Sequence, residues 1–325
     1  MTINVQSRGD LLDSRAEFFR DRPDVAENID LSWRIGSLLL ANPVIPASGC
    51  FGPELGRLIP VKELGATITK TVFAERRGGN PAHRLSEIPA GMVNSVGIPS
   101  KGPAGYLETL HPHYEALGAP VIISVGGHRP LDYAPVVAQL SDAGAAYELN
   151  VSCPNLDRDG TDIGADPAAV ERVVRTVREV TEKPLIVKLP AMTSSISDIA
   201  QAAEAAGADA LCVANSLPVL PIDPVTHRPA LGNIIGGLSG PTVRPVILRL
   251  VWLAAKTVNI PVIACGGIET VDDALEYFSV GARAVQVGTA NFSKPFAMVD
   301  IVRALEQRCR SLGVATTAQL VGGGL

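Results

Sequence analysis

Cys153 stands between two carboxamides in the run Tyr147-Glu148-Leu149-Asn150-Val151-Ser152-Cys153-Pro154-Asn155, where an apolar strand pattern passes into a polar turn and then a Gly/Asp-rich loop from Leu156 to Asp166. Strands that end in such clusters carry reactive groups at the mouth of a site. The thiol would be the reactive group, and Asn150 and Asn155 can grip a small planar ligand, because each carboxamide sets a donor beside an acceptor. A buried structural thiol is the competing reading, since free cysteine is among the most buried residue types.

Other residues point to a ligand of the same kind. Lys70 and Lys188 each close an apolar run, where an ammonium is costly unless it meets a negative partner. A structural ion pair would explain either one, whereas two lysines facing one cavity would serve an anionic ligand. Asn94 precedes a turn in which the amides of Val96, Gly97 and Ile98 can receive a carboxylate, and Asn215-Ser216 adds a carboxamide and a hydroxyl. Any one Asn could be a turn former. Together, residues 94, 150, 155 and 215 suit an amide-rich heterocycle. Cys265-Gly266-Gly267-Ile268 and Gly288-Thr289-Ala290 let backbone N–H groups approach an anion, at the place where barrels often hold a phosphate. The bland account of these glycines is relief of crowding in tight turns.

The elements that must position these groups follow a repeating course. Val44–Ala47, Thr67–Thr71, Val121–Val125, Tyr147–Val151, Leu185–Leu189, Ala210–Ala214, Val262–Cys265 and Ala284–Val287 are eight apolar strand candidates, preceded by a hairpin around Leu31–Leu40. Helix signals lie between them. Asp166-Pro167 opens a helix over Ala168–Thr181, Ser197-Asp198 one over Ile199–Ala206, and Thr270 caps one from Val271 to about Phe278. Gly207 and Gly281 suit left-handed helix ends. Continuously apolar strands separated by helices imply a parallel sheet buried on both faces, here an α/β (β/α)8 TIM barrel. The rival, an open doubly wound sheet, would want a G-x-G-x-x-G turn after the first strand, and none is present. The two long connections, 72–120 and 215–240, fall at the strand ends where barrels build their sites.

Composition limits the rest. The chain of 325 residues is 46% hydrophobic and 19% charged, enough for a core and without the signature of disorder. A net charge of −5 with scattered basic residues argues against nucleic acid. The five cysteines are never in C-x-x-C spacing, which suggests a reducing compartment and disfavours an iron–sulfur cluster or a disulfide framework. No apolar run approaches a membrane span and the N-terminus lacks a signal-peptide layout, so a soluble, cytoplasmic protein is expected. Residues 1–30 read as an N-terminal extension, with a short helix around Leu11, Leu12, Phe18 and Phe19 capping the main body. The barrel takes residues 31–312 and a C-terminal tail 313–325. From residues alone the chain is a cofactor-dependent barrel enzyme that takes a phosphate-bearing cofactor.

Several motifs then converge. Asn42-Pro43-Val44 with Ala47-Ser48-Gly49, Thr69-Lys70-Thr71, Asn94-Ser95-Val96-Gly97-Ile98, Asn150 to Asn155, Val187-Lys188-Leu189, Gly237-Leu238-Ser239-Gly240 and Val285 to Phe292 together resemble the dihydroorotate dehydrogenase family over roughly residues 31–300. The Ser-Cys-Pro-Asn segment is similar to the soluble class 1, whose base is Cys where the membrane-bound class 2 uses Ser. The resemblance implies FMN as cofactor and oxidation of dihydroorotate to orotate. It implies Cys153 as the general base that takes the C5 proton while hydride passes from C6 to the flavin. Lys70 would lie between flavin and substrate, and Lys188 at the N1/O2 edge of the flavin, where a cation stabilises the anionic reduced ring. Asn94, Asn150, Asn155, Asn215 and Ser216, with the amides of Val96, Gly97 and Ile98, match substrate contacts. Ser48, Lys70, Thr71, Ser124, Asn150, Lys188, Ala214, Gly240, Gly266, Gly267, Gly288 and Thr289 match flavin contacts, and no metal is implied.

The departures from the family pattern are Ser124, where Asn is frequent, Pro99-Ser100-Lys101 after Ile98, and Pro190-Ala191-Met192 after Lys188. They bear on affinity and electron acceptor rather than on the base. Class 1 includes homodimers that reduce fumarate and enzymes that pass electrons to NAD through a second subunit carrying FAD and a [2Fe–2S] cluster. Pro221 to Gly240 looks more like the NAD-linked catalytic subunit, so such a partner is expected, along with a homodimer. The rival functions are a flavin barrel acting on uracil-type rings, whose relatives typically show His where this chain has Asn155, a flavin-free lyase or isomerase with Lys188 as Schiff base, and a non-catalytic flavoprotein.

Overall fold

The computed structural model describes residues 28–152 and 163–324. Cys153 and Asn155, and the helix expected around residues 11–19, lie outside the described residues.

The chain opens with the expected hairpin, β1 (Trp33–Ile35) and β2 (Leu38–Leu40), turned at Gly36 with φ +51°. Ile35 and Leu40 are fully buried against Ile186, Ala210 and Ala284 at the starts of barrel strands, so the hairpin plugs the amino-terminal end of the bore. The barrel strands are β3 (Val44–Pro46), β4 (Thr67–Ile68), β9 (Val121–Val125), β10 (Ala146–Asn150), β11 (Leu185–Leu189), β12 (Ala210–Val213), β15 (Val262–Cys265) and β16 (Ala284–Val287). They pair in parallel in that order around one eight-stranded sheet, and β16 returns to β3. The last gap, between β3 and β4, is bridged by the Gly65 N–H to the Val44 carbonyl at 3.0 Å. This is the (β/α)8 barrel that the strand count implied.

Strands β9, β10 and β11 are buried at every position, one face in the bore and the other under helices. Helix Pro167–Arg178 shows the second layer. Val170, Val173, Val174 and Val177 recur at helical spacing and are all fully buried. Each contributes about 1.5 kcal/mol of apolar burial, and Asp166 caps the helix by accepting the Ala168 N–H.

Several expected boundaries shift by one to three residues, and two of them show why. The helix expected to open at Ser197 runs over Ile196–Ala205 with Ser195 as its cap, because Ser195 is extended (φ −151°) and its hydroxyl accepts the Asp198 N–H at 3.3 Å. Strand β4 stops at Ile68 instead of Thr71. Its chain goes on bonding β9 through Thr69 N–H to Ile122 O and Val72 N–H to Ser124 O, so three residues answer two and the intervening Lys70 and Thr71 bulge out.

The long connections build a roof. β6 (Leu85–Ile88) and β7 (Gly91–Asn94) from the first, with β13 (Leu217–Val219) and β14 (Gly236–Ser239) from the second, form an antiparallel sheet in the order β13-β14-β7-β6. A short pair, β5 (Arg76–Arg77) with β8 (Ser100–Lys101), flanks it. Residues 317–320 form a helical turn, and the Gly322 N–H bonds the Phe278 carbonyl at 2.9 Å, tying the end of the chain to helix Val271–Ser279.

Candidate active site

Between the carboxyl ends of the barrel strands and the roof lies a cavity of about 620 Å³. Its lining includes Ser48, Lys70, Thr71, Asn94, Val96, Gly97, Ile98, Asn150, Lys188, Ala214, Asn215, Ser216, Gly240, Gly266, Gly267, Gly288 and Thr289. These are the described residues singled out in the sequence, with the exception of Ser124. That residue is fully buried one layer beneath, its hydroxyl 2.9 Å from the Thr71 hydroxyl and its N–H donating to Thr69 Oγ1.

A carboxamide network occupies the end of β10. Asn150 Nδ2 donates to Thr71 Oγ1 at 3.2 Å, and Asn150 Oδ1 accepts the Ser152 hydroxyl at 3.0 Å. Asn215 Nδ2 donates to the Ser152 carbonyl and hydroxyl, while its Oδ1 accepts the Ser216 N–H at 2.8 Å. Tyr133 donates to the Asn150 carbonyl from the helix side at 3.0 Å. The residue just before Cys153 is therefore held by two of the candidate ligand-binding amides.

The roof supplies the opposite wall. Asn94 closes β7 and donates to the Gly237 carbonyl of β14 at 3.3 Å. The turn after it is left-handed at both Gly97 (φ +75°) and Ile98 (φ +44°). A β-branched side chain at positive φ is costly, and a Cβ at Gly97 would meet Asn80 at 2.5 Å. The surroundings thus impose this turn, whose residues Val96, Gly97 and Ile98 line the cavity.

Glycines shape the third side. A Cβ at Gly49 would meet nothing within 4 Å and one at Gly288 only Ala47 and Cys50 at 3.6 Å, so side chains there would fill the cavity rather than the protein. Gly267 (φ +68°) and Gly240 (φ +100°) approach closely, and a Cβ on the former would come within 2.9 Å of the Gly240 carbonyl. Arg244, which bonds Asp273 and Glu276, also reaches the Gly267 carbonyl at 3.4 Å. Thr289 donates to the Ser239 hydroxyl at 2.7 Å across the same corner.

Lys70 is exposed toward the cavity, and its ammonium is held below the ordinary lysine range by partial burial, with Arg84 adding to the effect. Lys188 is nearly fully buried on the cavity floor, where Nζ donates to Gln286 Oε1 at 3.2 Å and lies 3.7 Å from Cys265 Sγ. Burial pulls its protonation down, but Cys265, Cys212, Glu148 and Cys50 together outweigh it and hold the ammonium above its ordinary range. Cys50 and Cys265 line the cavity beside Lys188 and were not singled out in the sequence. Glu148 and Gln286 beneath were missed too, although a charged and an amide side chain at alternate positions of apolar strands were a legible signal.

The chain is similar to proteins of known family along most of its length. Residues 31–309 match the family model described as dihydroorotate dehydrogenase. The chain belongs to the dihydroorotate dehydrogenase family. Its relatives include proteins named dihydroorotate dehydrogenase B (NAD(+)), catalytic subunit. That of Trichlorobacter lovleyi is 42% identical over 296 residues, covering 90% of this chain and 97% of the relative. That of Desulforudis audaxviator is 43% identical, covering 89% and 95%. That of Listeria monocytogenes is 40% identical, covering 89% and 97%. Dihydroorotate dehydrogenases are flavin-dependent oxidoreductases of pyrimidine synthesis, and the relatives' shared name describes one subunit of a larger enzyme. Among the described residues no helix is long and apolar enough to cross a membrane.

Proposed function

We propose that the protein oxidises (S)-dihydroorotate to orotate with FMN as its bound cofactor and Cys153 as its base. The observation that carries this is the convergence, in one cavity of about 620 Å³, of the glycine corner, the two lysines and the carboxamides of Asn94, Asn150 and Asn215. The volume is that of a small-molecule site, and the donor set fits FMN. Gly266, Gly267, Gly288, Gly240 and Thr289 would hold the phosphate corner, and Ser48, Thr71, Asn150, Lys188 and Ala214 the ring. Ser124 would act through Thr71.

FMN, when bound, accepts the hydride that leaves C6 of the substrate. The chain's own residues do the rest. Cys153 Sγ takes the proton from C5, which is acidified by the adjacent carbonyl, so that the C5–C6 double bond of orotate forms. An ordinary thiol ionises near pH 8.5, so the base form of Cys153 gains as pH rises toward that value. Asn94, Asn150, Asn155 and Asn215, with the Ser216 hydroxyl, orient the ring amides, and the N–H groups of Val96 to Ile98 receive the carboxylate.

The flavin-free lyase is disfavoured by the state of Lys188. A Schiff-base lysine needs a readily deprotonated amine, and this ammonium is held in its charged form. Electrons leave through a second subunit carrying FAD and a [2Fe–2S] cluster to NAD, a reading supported by the relatives' name, and the catalytic chain pairs as a homodimer in the cytoplasm. Cys153→Ala is the test. It should retain FMN and slow flavin reduction by dihydroorotate by about 10²–10⁴-fold, the worth of a general base. Unchanged reduction would remove Cys153 from the chemistry.

A further inference from the structure

Beneath the cavity floor, the bore of the barrel holds a chain of buried polar groups in a setting otherwise lined by Ile68, Ile122, Ile186 and Ile263. Lys188 on β11 donates to Oε1 of Gln286 on β16, and Nε2 of Gln286 donates to Oε2 of Glu148 on β10. Glu148 and Gln286 are both fully buried and neither reaches the cavity. The amide can face only one way. Its Oε1 accepts from Lys188 and also from the Cys212 thiol at 3.2 Å, so turning it over would set two donors against the Nε2 group. Oε1 of Glu148 has no partner among the described residues.

An acidic side chain with one oxygen unsatisfied in an apolar bore is expensive to keep. Its cost is offset if its charge balances another buried charge. Lys188 is the one ammonium lodged on this floor. The groups that face it are Cys50 from the segment after β3, Lys70 across the cavity after β4, Glu148 from β10, Cys212 from β12, Cys265 from β15 and the neutral Gln286 from β16. Three of them are thiols, which carry charge only when ionised, and Lys70 is a like charge. Among the described residues Glu148 is the only carboxylate in this set.

We propose that Glu148, acting through Gln286, is a positioning residue that keeps Lys188 as a fixed, fully protonated cation at the bottom of the active-site cavity. The amide serves as a rigid spacer. It links Nζ to a carboxylate that is level with Ile186 of the neighbouring strand, fully buried and outside the cavity lining. Cys265 and Cys212 weigh most in holding the Lys188 ammonium above its ordinary range, and Glu148 acts in the same direction. The role of that cation toward a flavin rests on the function proposed above, but its state of protonation does not.

The test reads the lysine directly. The full-length protein is treated near neutral pH with an amine-acylating reagent, acetic anhydride, which attacks only the neutral amine, and acylation of Lys188 is quantified by mass spectrometry relative to exposed Lys62. Glu148→Gln keeps the shape and the Gln286 contact but removes the charge. It should raise relative acylation of Lys188 by tenfold or more, since each unit of pKa lost multiplies the neutral fraction by about ten, and it should make FMN affinity fall with rising pH where the wild type is flat. Gln286→Leu cuts the spacer and leaves both ends. It should raise acylation as well, and stands in if Glu148→Gln does not fold. Unchanged relative acylation in both variants would overturn the proposal, as would a rise seen in Cys265→Ala but not in Glu148→Gln, which would make the thiolate the counter-charge. A protein that binds no FMN yet shows the acylation change would sink the flavin reading and leave the relay standing.

Discussion

Gly237→Ala separates the substrate side of the cavity from the flavin side. Gly237 lies in β14 directly opposite Asn94 of β7, and a Cβ added there would stand 2.0 Å from Ser216 Oγ, 2.8 Å from Ser216 Cβ and 3.7 Å from Asn94 Nδ2. The hydroxyl can rotate away cheaply, because its contact with Asn215 Oδ1 is long at 3.5 Å. The Cβ clash survives any rotation, so the backbone at Ser216 must move away from β14. That shift draws Ser216 and Asn215 off the substrate together, losing one or two net hydrogen bonds of about 1 kcal/mol each. Overpacking costs a further 1–3 kcal/mol or so of stability. KM for dihydroorotate should rise about tenfold, since 1.4 kcal/mol is one decade, while FMN affinity stays within about twofold because the glycine corner is untouched. Steady-state kinetics with purified holoprotein and a fluorescence titration of FMN read the two quantities. An unchanged KM, or FMN lost in step with substrate, would refute the assignment of the roof to the substrate.

Gly267→Ala acts on the other side. Its left-handed φ of +68° and a Cβ at 2.9 Å from the Gly240 carbonyl should loosen the proposed phosphate corner, weakening FMN by about 1–2 kcal/mol with KM for dihydroorotate unchanged in the flavin-loaded fraction. Tyr147 should shape the alkaline limb of stability. Burial, with Asp142 adding, pushes its phenol from 10.0 to about 12. A raised folded-state pKa gives stability that is whole below pH 10 and lost as pH climbs toward 12, at most about 2 kcal/mol. Urea unfolding should therefore show Tyr147→Phe weaker at neutral pH, where it lacks the bond to the Leu140 carbonyl, and the two curves should converge above pH 10. Parallel curves would mean that the phenol is not protected.

The barrel was legible because its strands are buried on both faces, so the eight runs stand out as uninterrupted apolar stretches, and because glycines such as Gly207 and Gly281 end helices with the positive φ their type allows. The roof was not legible. β7 pairs with β14 across more than a hundred residues of chain, and nothing local in either segment names its partner. The bulge at Lys70 and Thr71 was hidden for a related reason. Both residues fall within the run Thr67–Thr71 that reads as one strand, and only the Val72 N–H reaching Ser124 O reveals that the chain has stepped out of register. Most residues of the candidate site were found through local chemistry at strand ends. Glu148 and Gln286 escaped because they lie two residues deeper than Asn150 and Gly288, on the same inward face. Their role depends on a contact between strands rather than on a motif.

The most direct measurement is anaerobic mixing of the purified protein with (S)-dihydroorotate, followed by absorbance in the flavin bands. Rapid bleaching, with one orotate formed per flavin and a rate that collapses in Cys153→Ala, is the expected result. A protein that carries no flavin, or whose flavin stays oxidised in excess dihydroorotate, would contradict the function assigned to this cavity.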